Sequence, residues 1–155
     1  MPHRLPPLAV LLGVGGLVPF VVCGVAALGA TDWAALALLA LLGYGAVILS
    51  FLGAVHWGLA LVQPGVAERA RLAGGVLPSL AGWVTLLVAF TGLPSVGLAV
   101  LAAGFAATML VEAQAGRRGL LPPGYVWLRW LLTGVVVVVL VSVLFVHLLG
   151  LHVNF

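Results

Sequence analysis

The sequence predicts an all-α integral membrane protein, a bundle of five transmembrane helices with its N-terminus cytoplasmic and its C-terminus periplasmic. Three observations predict it. The first is composition. Of 155 residues, 65% are hydrophobic and 6% charged, where a soluble domain carries roughly a quarter charged residues. So little polar surface cannot cover a soluble fold, and the bilayer must solvate most of the chain. The second is a set of five apolar runs, each near the roughly 20 residues that cross the hydrocarbon core as a helix. The third is the placement of the arginines, all of which fall at one side of those runs.

The runs cover residues 8–29, 34–62, 72–91, 95–113 and 126–149 and make a single transmembrane domain of residues 1–155. The first follows Arg4 and is longer than the apolar core of a secretory signal, so an uncleaved helix is expected. Thr31-Asp32 stands before the second run as an N-cap, and Gln63-Pro64-Gly65 ends it. Thr91-Gly92-Leu93-Pro94-Ser95 is a tight turn, which makes helices three and four an antiparallel hairpin. Pro122-Pro123 cannot continue a helix and gives the fifth run its start. Pro19 and Pro78 lie inside runs one and three, where each removes a backbone donor and kinks its helix. The freed carbonyl either is accommodated by packing or lines a polar cavity.

There is no Lys, and all six basic residues are Arg. Arg4 precedes the first helix, Arg69 and Arg71 lie between the second and third, and Arg117 and Arg118 lie between the fourth and fifth. Arg129 begins the fifth. The opposite side carries Asp32 and no Arg. The positive-inside rule puts the arginines in the cytoplasm, here the cytoplasmic side of a bacterial inner membrane. Six scattered arginines without interleaved aromatics make no nucleic-acid surface. Cys23 is the single cysteine, which excludes an internal disulfide, and no spacing suggests zinc or another metal. No cofactor is expected.

Small residues at helical spacing predict packing seams, because lipid gives little hydrophobic drive for helix association. Ala99, Ala103 and Ala107 form one such row, Ala9 and Gly13 a second, and Gly45, Leu49 and Gly53 a third. Trp33 flanks the outer interface, and Tyr125, Trp127 and Trp130 flank the inner one as belt anchors. Trp57 and Trp83 sit deeper and are expected to face the bundle.

An ionisable side chain inside a membrane helix is costly, so it marks a candidate site. His56, Glu112 and Arg129 are the three. His56 lies roughly 10 Å from the cytoplasmic end of helix two at 1.5 Å per residue, at a depth shared with Pro78 and Ser79. Glu112 continues the face of Gly104 and Thr108, and Arg129 stands one turn from Thr133. Glu112 and Arg129 can pair in the cytoplasmic leaflet with His56 beneath them. His147 and His152 belong to the outer interface, and His3 is terminal.

Two readings of this cluster compete. In one, a structural Glu–Arg bridge accompanies a histidine bonded to backbone. In the other, His56, Ser79, Glu112, Arg129, Trp57 and Trp83 line a cytoplasmic vestibule for a ligand or a proton. There is no HExxH, GxSxG, P-loop or carboxylate pair, so no catalytic residue is named.

The segment Tyr44-Gly45-Ala46-Val47-Ile48-Leu49-Ser50-Phe51-Leu52-Gly53-Ala54-Val55-His56-Trp57-Gly58 resembles a bacterial membrane-protein family of unknown function. That family is related to eukaryotic transmembrane protein 69. Further stretches carry the likeness over most of the chain: 16–20, Leu77-Pro78-Ser79-Leu80-Ala81-Gly82-Trp83, and Leu121-Pro122-Pro123-Gly124-Tyr125 with Leu128-Arg129 and Leu132-Thr133. Glu112 stands where the family often has Asp, and Gly124 where it tends to have Trp. The resemblance implies a small inner-membrane protein, mitochondrial in eukaryotes, and implies no activity.

Three functions follow as expectations. The first is a non-enzymatic accessory or assembly protein, its partners the lipid bilayer and another membrane protein or a second copy of itself. The second is a small carrier, channel or amphipathic-ligand binder centred on His56. The third is an intramembrane enzyme, which needs an acid–base pair within reach of a pocket.

Overall fold

The computed structural model describes residues 6–29, 32–62, 65 and 68–150. His3, Arg4, Thr31, Gln63-Pro64 and His152 lie outside them. Six helices are present: α1 (Pro7–Gly15), α2 (Leu17–Leu28), α3 (Ala34–Val62), α4 (Glu68–Phe90), α5 (Pro94–Arg117) and α6 (Pro123–Leu148). Together α1 and α2 form one span, Pro7–Leu28, so five spans are long and apolar enough to cross a membrane. There is no strand among the described residues. The protein is a multi-pass membrane helical bundle.

The interruption at Gly16 has a local cause. Pro19 has no N–H, so the carbonyl four residues back loses its donor. Beside it, the Tyr44 hydroxyl donates to the Gly16 carbonyl at 3.0 Å. The Tyr44 ring in turn meets Phe20 edge-on, and Phe20 meets Phe105, at centroid distances of 5.0 and 5.8 Å. A kink in the first span is thereby tied into the bundle centre.

Proline opens three helices. Pro7, Pro94 and Pro123 occupy first-turn positions, where the missing N–H has no helical partner to lose. Glycine closes three. Gly92 (φ 82°), Gly119 (φ 70°) and Gly150 (φ 65°) adopt the left-handed conformation. Beyond the first two, Leu93 N–H donates to Val88 C=O and Leu120 N–H to Ala115 C=O, at 3.2 and 3.0 Å. These six-to-one bonds satisfy carbonyls that the helix end would orphan.

Two boundaries differ from the sequence expectation by a full helical turn. Helix α4 begins at Glu68 rather than at 72, and α5 runs to Arg117 rather than 113. Apolar runs mark the hydrocarbon slab, whereas hydrogen bonding carries a helix into the headgroup region. At α4 the Glu68 carboxylate accepts the Gly65 N–H at 3.1 Å, and an anion is favoured in a first helical turn. Arg69 and Arg71 therefore belong to a helix and not to a loop.

Around the bundle, α2 packs on α3, α3 on α4, α4 on α5, α5 on α6, and α6 back on α2, while α3 and α5 also meet across the middle. The core holds Leu38, Leu41, Leu42 and Leu49 of α3 with Leu98, Leu101 and Phe105 of α5 and Leu140 of α6. The seam of α3 is real: a Cβ on Gly45 would lie 2.7 Å from Leu101 Cδ1. The expected row on α5 is not, since Ala99, Ala103 and Ala107 are exposed. Bulky Leu98, Leu101, Phe105 and Met109 take the inward face instead. They fill space that three alanines would leave empty.

Candidate functional site

The site lies where α3 and α5 end and α4 and α6 begin. Each helix turns at least one polar side chain inward there. On α3, His56 continues the buried line of Leu49, Leu52 and Gly53. On α5, Glu112 continues Phe105, Thr108 and Met109. On α6, Arg129 and Thr133 share a face with Val136 and Leu140. On α4, Arg71 heads the line of Gly75, Pro78 and Gly82.

Glu112 is the hub and is fully buried. Arg129 Nε donates to its Oε2 at 2.7 Å, and the Tyr125 hydroxyl donates to its Oε1 at 3.1 Å. A charge-assisted contact of this length is a strong one. His56 Nε2 stands 3.9 Å from the same Oε1, too far for a hydrogen bond. Three buried polar atoms have no hydrogen-bond partner among the described residues: His56 Nε2, Arg129 Nη2 and Thr133 Oγ1. Leaving such an atom unpaired costs about 1–3 kcal/mol, more when it is charged.

Two cavities meet at His56. One, of roughly 210 Å³, opens at the arginine-rich end between α4 and α5 and is lined by Arg71, Gln114 and Arg118 with apolar neighbours. The second, of roughly 180 Å³, lies deeper between the same helices, against Leu77, Pro78, Gly104 and Ala107. His56, Gly74 and Val111 line both. Pro78 has no N–H to give the carbonyl of Gly74, four residues earlier. The proline thus leaves an acceptor at the junction of the cavities.

The structure brings His56, Glu112 and Arg129 together and leaves the other expected site residues outside. Ser79 is half-buried and lines neither cavity; Pro78 takes the inward position. Trp83 is 59% exposed and faces away from the bundle, contrary to expectation. The face of α4 that meets α3 is made of Gly75, Pro78 and Gly82, and so close an approach has no room for an indole. Trp57 is 44% exposed and lines neither cavity, although its indole N–H donates to the Leu72 carbonyl at 3.0 Å and ties α3 to α4. Ser50 donates to the Ala46 carbonyl at 2.8 Å. It is thereby committed to its own helix.

Two residues of the site were not anticipated. Tyr125 reads in the sequence as a belt aromatic, yet it turns inward to Glu112. Arg71 reads as a topology marker, yet it is 7% exposed and donates to the Leu59 carbonyl at 3.3 Å. For Tyr125 a signal existed. A Tyr four residues before an intramembrane Arg shares its helix face. His147 sits near the far end of α6, roughly 27 Å from Arg129 at 1.5 Å per residue. No group of three His, Cys, Asp or Glu side chains that could hold a metal forms among the described residues.

Comparison with known proteins gives the family and no activity. Transmembrane protein 69 of Xenopus tropicalis is 36% identical over 84 residues, 53% of this chain and 33% of that protein. The chain thus spans about a third of the length of the curated relative it matches. No solved structure matches it. Residues 5–145 match the family described as "Protein of unknown function (DUF3429)", a stretch that includes His56, Arg71, Glu112, Tyr125 and Arg129. The chain belongs to this family of membrane proteins, DUF3429.

Proposed function

We propose that this protein binds an anionic amphiphile in the crevice around His56. It does so from the cytoplasmic leaflet of a bacterial inner membrane. The observation that carries the reading is His56 itself, a buried imidazole with an unpartnered Nε2 at the junction of two largely apolar cavities. The outer one presents Arg71, Arg118 and Gln114, and no carboxylate lines it among the described residues. Glu112 is already engaged by Arg129 and Tyr125. A phosphate or carboxylate head suits that lining, and the deeper apolar cavity suits the start of its chain. Together the cavities fall in the lower part of the roughly 300–1,000 Å³ range of small-molecule sites.

The test is native mass spectrometry of the full chain released from vesicles of phosphatidylglycerol or loaded with a fatty acid. The two arms separate a phosphate from a carboxylate head. The reading expects retained ligand, reduced about tenfold (~1.4 kcal/mol) by Gly74→Leu. A Cβ at Gly74 meets nothing within 4 Å and Gly74 lines both cavities, so the side chain enters the crevice, and an unchanged melting temperature checks that the fold is kept. Arg118→Ala, at an exposed position, should weaken retention with an unchanged melting temperature. Equal retention by all variants contradicts the reading.

Orientation is tested separately. With Arg69, Arg71, Arg117 and Arg118 at one end, the positive-inside rule predicts that the α5–α6 connection is cytoplasmic. A reporter fused after Gly119 should be active only as a cytoplasmic enzyme, and periplasmic activity would reverse the topology.

An accessory or assembly role is the second reading, and α1 favours it. None of its residues is buried within the chain, which leaves a whole helix for a membrane partner. Recovery only as a free monomer in gentle detergent counts against it.

A further inference from the structure

A third cavity, of roughly 150 Å³, lies on the other side of the Glu112–Arg129 pair, among the first span, α3 and α6, with Phe105 of α5 at its inner wall. Phe20, Phe51, Leu52 and Phe105 are among its apolar walls, and Arg129 and Thr133 are the two polar side chains that line it. Both are more than nine-tenths buried. Arg129 Nη2 and Thr133 Oγ1 have no partner among the described residues.

Thr133 is the more telling of the two. A buried helical threonine ordinarily donates to the carbonyl four residues earlier. Thr85 does so to Ala81 at 3.0 Å, and Thr108 to Gly104 at 2.8 Å. Thr133 does not, although the carbonyl of Arg129 stands at that spacing. Its hydroxyl and the free guanidinium nitrogen lie one turn apart on a single face. They form a pair of donors in an apolar chamber.

Charge decides what they would hold. The carboxylate of Glu112 already neutralises Arg129 from its other edge. An anion in the chamber would bring uncompensated negative charge into the bilayer core, which is costly. A neutral acceptor adds none. Arg129 lies six residues into α6, roughly 9 Å from its start. That is near the boundary where lipid headgroups give way to hydrocarbon.

We infer that this chamber holds the neutral carbonyl of a membrane lipid, hydrogen-bonded by Arg129 Nη2 and Thr133 Oγ1. It is distinct from the anion-binding site proposed around His56. Two sources present that carbonyl: the acyl ester of a phospholipid and the ring of a lipid quinone.

The test is native mass spectrometry of the full chain, delipidated and then offered three probes separately. These are zwitterionic ester-linked phosphatidylcholine, its ether-linked analogue, and decyl-benzoquinone. One retained molecule of the ester lipid, held at least tenfold better than the ether analogue, supports the ester source. Retention of the quinone supports the other. In either case Thr133→Val should lower retention about tenfold without changing the melting temperature, and Ile48→Phe, which narrows the chamber, should abolish it. No retention of ester lipid or quinone would overturn the inference, as would equal retention of ester and ether or indifference to both variants. Phosphatidylcholine carries no net charge, so failure here leaves the His56 reading standing, and failure there leaves this one.

Discussion

Replacing Glu112 with alanine should destabilise the fold by about 3–5 kcal/mol, the cost of removing one partner from a buried ion pair. The single carboxylate accepts from Arg129 at 2.7 Å and from Tyr125 at 3.1 Å, and it is fully buried. Its loss leaves a guanidinium at 6% exposure with no counter-charge. It also frees a phenol hydroxyl on the same helix. Equilibrium unfolding in mixed micelles measures the change. The double variant Glu112→Leu with Arg129→Met should recover most of it, because a buried pair exchanged for apolar residues of similar size is often neutral. A single-variant cost under about 1 kcal/mol would mean that the pair is solvated, as surface bridges are.

Gly53→Ala should cost about 1–3 kcal/mol or more, because the added methyl has nowhere to go. A Cβ there would fall within contact distance of the Gly75 carbonyl, and a Cβ on Gly75 would lie 2.8 Å from the Gly53 carbonyl. The opposing atoms are backbone, so no side chain can swing aside. Further along, a Cβ on Gly82 would lie 2.9 Å from the Ala46 carbonyl. Helices α3 and α4 therefore touch backbone to backbone over several turns, the close approach that small residues permit in membranes. Forcing them apart should also break the Trp57–Leu72 hydrogen bond and widen the crevice beside His56. Gly58→Ala on the same helix is the control. A Cβ there meets nothing within 4 Å, so stability should hold or rise by up to about 1 kcal/mol through helix propensity.

The spans were legible because hydropathy reads directly on the bilayer, and all five stand where the runs predict within a few residues. The pairing of Glu112 with Arg129 was legible for a related reason: two opposite charges in one leaflet of an apolar bundle have few other partners. Helix rotation was harder to read. Nearly every face of these helices is apolar, so the sequence pattern does not say which face turns inward. Packing decides it, and the alanine row of α5 and Trp83 of α4 both turned outward. Tyr125 and Arg71 were missed at the interface, where an amphipathic side chain can anchor to headgroups or fold inward. The third cavity had one legible part, the Arg129–Thr133 spacing. Its walls come from four separate spans, and only the fold assembles them.

If His56 stands at an occupied crevice between α4 and α5, as proposed above, a density map of the full chain in phosphatidylglycerol nanodiscs should show lipid beside His56, with a headgroup between Arg71 and Arg118 and a chain entering past Pro78 and Ala107. A map in which α4 and α5 close on His56 and pack it dry against apolar side chains would contradict it.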